Sequence, residues 1–173
     1  DRSLLVLGRQ RTAMVDRLRL ILGDQLNVRH SWFSEKSENT LYVIAEIAEE
    51  ASYVTHHIQK LCAFFLAMQH MAETLNVDGH KVLHLTLDDT RDTPDIAALL
   101  KALADQYEVT RIEHQRPDEY RLLLQLKHLC NKLPLETRQY DTEHFILPFQ
   151  DIPKYFKSKK NTRMESFYRK MRV

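Results

Sequence analysis

Short apolar runs alternate with longer stretches of helical period along this chain, and that alternation constrains its fold more than any other feature. Residues 18–22, Leu-Arg-Leu-Ile-Leu, form the first run and end in Gly23-Asp24. Residues 40–47, Thr-Leu-Tyr-Val-Ile-Ala-Glu-Ile, form the second and are rich in β-forming side chains. Further strands are expected over 81–87, 109–114 and 137–140. Between them lie three helical patterns. Over 52–75, Ile58, Leu61, Phe65, Met68, Ala72 and Leu75 recur at three and four, and Phe64 and Met71 widen the stripe. Ser52 or Thr55 would cap its start, and Gly79 marks its exit turn. Residues 95–107, after Thr93-Pro94, and residues 118–133, with Leu122, Leu126 and Leu129 inward, complete the set.

Strand and helix in strict succession imply parallel strands joined by right-handed crossovers. The expected fold is therefore α/β: a Rossmann-like open parallel sheet of about five strands flanked by helices. In such sheets ligands bind beyond the carboxyl ends of the strands. Three places come into view: the loops after Leu22, after Ile47, and after Leu87 or His114.

Composition narrows the chemistry. The chain holds three glycines, Gly8, Gly23 and Gly79, too few in any one loop for a dinucleotide fingerprint or a P-loop. This weakens the reading as a small-molecule enzyme on a Rossmann-like scaffold. Cys62 and Cys130 lie in helical apolar patterns, as reduced core residues of a cytoplasmic protein would. No apolar run is long enough to span a bilayer. Residues 154–173 carry eight Lys or Arg against one acid, a local charge of +7, which leaves −6 for the rest of a chain whose net charge is +1. Three segments are thus expected: an N-terminal extension over 1–17 with one or two helical turns, an α/β domain over 18–153, and a basic linker over 154–173. Basic residues of that linker are interleaved with Tyr155, Phe156, Phe167 and Tyr168, a pattern that suits nucleic acid as well as a solvated linker helix or a seam to another domain.

The chemistry-bearing residues gather at the first two strand ends. Gly23 lets a backbone turn or a ligand approach closely. Asp24 and Gln25 add an acceptor and a two-sided amide, able to read the polar edge of a planar heterocycle or to close a strand-end turn. Glu46, Glu49, Glu50, Tyr53, His56 and His57 follow the second strand. Acids in a first helical turn also answer the helix dipole. Adjacent histidines point to different helix faces, so no metal site is expected there. His80 and His84 share a strand face with no evident carboxylate or cysteine partner. Phe64 stands beside the core stripe and could border a ligand slot or pack. No catalytic nucleophile is nominated.

Five ordered segments carry a resemblance. They are residues 20–26 (Leu-Ile-Leu-Gly-Asp-Gln-Leu), 50–57 (Glu-Ala-Ser-Tyr-Val-Thr-His-His), 67–72 (Ala-Met-Gln-His-Met-Ala), 116–121 (Arg-Pro-Asp-Glu-Tyr-Arg) and 164–172 (Met-Glu-Ser-Phe-Tyr-Arg-Lys-Met-Arg). On these the chain resembles the bacterial cryptochrome/photolyase-related family, the prokaryotic (6-4) photolyase-like, iron–sulfur class. The resemblance implies an N-terminal antenna domain that holds 6,7-dimethyl-8-ribityllumazine. The pocket residues it implies are Gly23, Asp24, Gln25, Glu50, Tyr53 and Phe64, with Glu46 as an outlying candidate. It further implies FAD and a 4Fe-4S cluster in a C-terminal region of the parent chain, which would be this domain's partner and its route to DNA. The parent would perform light-driven repair of a DNA photoproduct, and this chain alone would be inactive. Where the family often carries a small aliphatic residue stands Phe64, and Gln69 replaces the family's Arg. The family's FAD pocket, cluster cysteines and repair histidines would lie beyond Val173, and Cys62 and Cys130 match none of the cluster ligands. The other reading is a solitary α/β domain with an empty pocket whose basic tail meets DNA or a partner.

Overall fold

The computed structural model describes residues 15–172. The expected N-terminal extension lies almost wholly outside the described residues. Five parallel strands form one sheet: β1 (Arg17–Ile21), β2 (Thr40–Ala45), β3 (Lys81–Leu85), β4 (Arg111–Gln115) and β5 (Glu136–Tyr140). Their order is β3-β2-β1-β4-β5, so the chain winds outward from β1 in one direction and then returns to β1's other side. This is the doubly wound arrangement expected of a Rossmann-like sheet. Helices α1 (Ala48–Ser52) and α2 (Ile58–Val77) follow β2, α3 (Ile96–Tyr107) follows β3, and α4 (Tyr120–Lys132) follows β4. Among the described residues no helix is long and apolar enough to cross a membrane.

Strand alternation divides the core in two. Leu18 and Leu20 of β1 and Leu41 and Val43 of β2 point to the face covered by α3 and α4, where Leu99, Leu100, Leu103 and Leu126 are buried. Ile21, Tyr42 and Ile44 point to the other face, against Trp32, Met68, Met71 and Leu75. Trp32 sits in a 3-10 turn, Ser31–Phe33, and anchors the polar connection between β1 and β2. Leu122, Leu126 and Leu129 are all buried, as the period of α4 predicts.

One expected helix becomes two. Tyr53 ends α1, residues 53–57 are not helical, and α2 starts at Ile58. Ser52 does not cap α2, because its hydroxyl donates back to the Ala48 carbonyl inside α1 at 2.6 Å. The cap is the His57 ring, whose Nδ1 accepts from the Gln59 amide at 3.2 Å. The helical stripe also fails in the first half of α2: Ile58 is 66% exposed, Phe64 and Cys62 are exposed, and only Met68, Met71, Ala72 and Leu75 are buried. Length explains this. Twenty residues of helix run about 30 Å, while the five or six residues of β2 and β3 run only about 17–20 Å. Since α2 returns from the carboxyl end of β2 to the amino end of β3, its first half overhangs the carboxyl edge of the sheet. Cys62, expected in the core, is on that overhang.

The β1–β4–β5 part of the α2-side face is polar instead. Glu113, 1% exposed, accepts from Arg19 Nε at 2.8 Å and from the Tyr140 hydroxyl at 3.2 Å. Arg19 also donates to the Tyr42 hydroxyl at 3.0 Å and the Trp32 carbonyl at 3.2 Å, with its guanidinium over the Trp32 ring. Burial opposes the Arg19 charge, yet its bonds to Glu113 and Tyr42 outweigh burial and raise its pKa. This network rivets four strands, β2, β1, β4 and β5, whose order is not sequential.

The chain divides into two compact units, one ending at Tyr140 and one beginning at Asp141. The second holds a turn, Phe149–Asp151, and helices α5 (Ile152–Tyr155) and α6 (Met164–Met171). Within it Phe167 packs on Tyr155, Phe156 and Tyr168. The compositional change at Lys154 falls inside this unit.

Candidate functional site

A cavity of about 230 Å³ opens at the carboxyl ends of β1 and β2. It lies where the sheet rule points, and the overhanging half of α2 forms one wall through Leu61, Phe64 and Phe65, with Met68 behind them. Ile47, Ile96 and Leu122 add apolar surface from the β2 exit, α3 and α4. Asp24, Glu46, Glu50, Lys60 and Glu119 bring charge to it.

Gly23, Asp24, Glu46, Glu50, Tyr53 and Phe64 all line this cavity, although they come from three separate stretches of chain. Gln25 does not. It is 1% exposed and closes the β1 exit, its Oε1 accepting from the Leu22 amide at 3.3 Å and its Nε2 donating to the Arg116 carbonyl at 3.1 Å. Its amide ties the end of β1 to the end of β4. Gln25 is engaged in the strand-end turn, while Gly23 and Asp24 line the cavity.

Gly23 is glycine for space rather than for backbone angle. A Cβ there would stand 3.2 Å from Met68 Sδ and 3.4 Å from Phe64 Cδ1. The Phe64 ring therefore lies against the strand end, and Lys60 Nζ sits 5.8 Å from its centroid. Glu46 lines the cavity but is largely engaged by the neighbouring strand. Its Oε2 accepts from the Leu87 amide at 3.1 Å, and His84 Nε2 is 3.5 Å from its Oε1. His84 Nε2 is thus buried near a carboxylate that its sequence neighbourhood does not reveal, without a hydrogen bond to it. His80 instead packs edge-on against Phe33 and Tyr42.

Arg121 is the residue that sequence reasoning leaves out. From the first turn of α4 it donates to both Glu50 oxygens, at 3.0 and 2.6 Å, and from Nε to Glu119 at 2.8 Å. Its guanidinium carbon stands 4.8 Å from the Tyr53 ring centroid. Hydrogen bonding to Glu50 holds Arg121 charged well above its ordinary range. The signal was present: the loop after β4 is one of the three the sheet rule selects, and residues 116–121 belong to the segments that carry the resemblance. What could not be read was the partner, 71 positions away. Among the described residues no group of three or more His, Cys, Asp or Glu could hold a metal ion.

The family model for deoxyribodipyrimidine photo-lyase-related proteins matches residues 19–173. The chain belongs to that family. A curated relative of this photolyase-related chain, a (6-4) photolyase of Agrobacterium fabrum (strain C58 / ATCC 33970), is 29% identical over 160 residues. That match takes in 91% of this chain and 31% of the relative, so the chain spans about a third of the photolyase's length. The family model's match takes in the sheet from Arg19 onward and every cavity residue named above.

Proposed function

We propose that this photolyase-related chain is the antenna-binding α/β region of a longer light-driven DNA-repair flavoprotein, and that the cavity at the β1 and β2 ends takes the antenna chromophore. The observation that carries this reading is the convergence of six residues, Gly23, Asp24, Glu46, Glu50, Tyr53 and Phe64, on one cavity at the edge where α/β sheets bind ligands. An apolar interior with a few polar groups suits a flat heterocycle. The cavity, at about 230 Å³, is smaller than the roughly 300–1,000 Å³ of sites that enclose a whole drug-sized ligand. A ligand of the 6,7-dimethyl-8-ribityllumazine type would therefore bury its ring system and leave its polyol at the mouth. Gly23 leaves room for the ring edge, Phe64 offers a face for stacking, and Glu50 offers acceptor lone pairs to the ring N–H. The chromophore, when bound, supplies light absorption and passes excitation on to FAD. Electron transfer from reduced FAD to a pyrimidine photoproduct is proposed only for the longer protein, and this chain alone binds the antenna without repairing DNA.

The test is a fluorescence titration of the purified 173-residue chain with 6,7-dimethyl-8-ribityllumazine. Saturable binding in the micromolar range is expected. No binding at micromolar protein would overturn the antenna reading and favour a domain whose function lies in its basic second unit.

A further inference from the structure

We infer that Arg121 is the positioning residue of the cavity mouth: it holds Glu50 and Tyr53 where a bound ring can meet them. This rests on the reading of the cavity as a ligand site. The segment that carries both residues has little else to hold it. Helix α1 is five residues long, has no side-chain cap and buries no residue. Isolated helices this short do not persist in water, so α1 needs a tertiary anchor. Arg121 supplies one from α4.

Three features make this more than a surface ion pair. First, the guanidinium grips both oxygens of Glu50 as a planar fork, which fixes the carboxylate plane as a single contact would not. Second, the same group stands over the Tyr53 ring, so one planar cation orders two cavity residues. Third, Glu119, itself a lining residue, holds Arg121 Nε from the other side. Anchoring runs from Glu119 through Arg121 to Glu50 and Tyr53. The fork uses two of the roughly four lone-pair positions of a carboxylate. Glu50 therefore keeps acceptor capacity for a ligand, now in a fixed direction. Lysine carries the charge but lacks the fork and the planar face.

Arg121 and Glu50 are both partly exposed, with side-chain exposures of 36% and 22%, and exposed pairs add little to global stability. The predicted effect is thus local. Two side chains that must be ordered on binding cost affinity by about tenfold. Arg121→Ala, Arg121→Lys and Glu50→Gln in the 173-residue chain test this with two readouts. Hydrogen exchange without ligand should accelerate about tenfold at the Ala51 and Tyr53 amides, which bond to Ile47 and Glu49, while amides of β1 and β2 are unchanged. Lumazine affinity should fall about tenfold in both Arg121 variants, with no rescue by Lys. Unchanged exchange in all three variants would overturn the inference. So would accelerated exchange with unchanged lumazine affinity, or full rescue of both readouts by Lys. If the unmutated chain binds no lumazine, the antenna reading fails, and the exchange measurements still decide whether Arg121 orders α1.

Discussion

Replacing Glu113 by Gln would remove the buried acid from a network that includes several cations. Arg19 Nε lies 2.8 Å from Glu113, Arg17 Nε 3.7 Å and Arg111 3.8 Å. Glu113 is 1% exposed and the Arg19 side chain 13%, so water cannot take over the lost charge. Breaking a buried pair costs about 3–5 kcal/mol, because the surviving charge stays buried without its partner. The lower end applies here. Arg19 keeps the Tyr42 hydroxyl and the Trp32 carbonyl, Arg111 keeps Glu136 at 2.7 Å, and the more distant Arg17 side chain is 28% exposed. A loss of about 3 kcal/mol is a large share of a typical stability of 5–15 kcal/mol. It corresponds to a fall in melting temperature of about 6–12 °C for a chain of this size. Trp32 is the only tryptophan and lies against Arg19, so its emission in a urea titration reports the region directly. A loss under about 0.5 kcal/mol would refute the argument, since surface changes rarely exceed that. A paired Arg19→Met/Glu113→Leu replacement should recover much of the stability, because removing both charges removes the buried imbalance.

Two further outcomes follow from the geometry. Gly23→Ala places a methyl 3.2 Å from Met68 Sδ and 3.4 Å from Phe64 Cδ1. The entropic gain of about 0.4–1 kcal/mol offsets most of the overpacking in a wall whose side chains can shift, so thermal stability should move little while lumazine affinity falls. Unchanged affinity would place the ring away from Gly23. Burial pushes the His114 imidazole below its ordinary value of 6.5, so below about pH 6.5 the unfolded chain gains a proton that the folded chain refuses. The stability is present above that value and is lost as pH falls toward the depressed folded pKa, by at most about 1.4 kcal/mol per pH unit. Urea midpoints at about pH 7.5 and about pH 5.5 should show this loss, and His114→Gln should reduce it. His80, lowered mainly by burial as well, keeps some of the dependence in that variant. Equal slopes in the two proteins would remove His114 from the account.

Much of the fold is legible along the chain because its information is local. The unbroken run of β-forming residues over 40–45 marks a strand, which the structure buries on both faces, and the three-and-four spacing of Leu122, Leu126 and Leu129 states which face of α4 is apolar. Asp95 likewise caps α3 by accepting from the Ala98 amide. Periodicity fails for the first half of α2, because it names a face without saying how far the sheet beneath it extends. Ile58 keeps the period and loses the partner.

The candidate site divides in the same way. Gly23, Asp24, Glu46, Glu50, Tyr53 and Phe64 are visible in the sequence because each lies at a strand end or in the segment that follows one, and local pattern locates strand ends. By itself the sequence determined the strand–helix succession, the carboxyl edge of the sheet and most of the residues that gather at the cavity there. Only the tertiary structure decided that Gln25 closes a turn, that Glu113 sits against Arg17 and Arg19 of β1, and that Arg121 grips Glu50 across 71 positions. All three depend on β4 lying beside β1 and not beside β3. That choice is made when the whole sheet closes its core, and no local period records it.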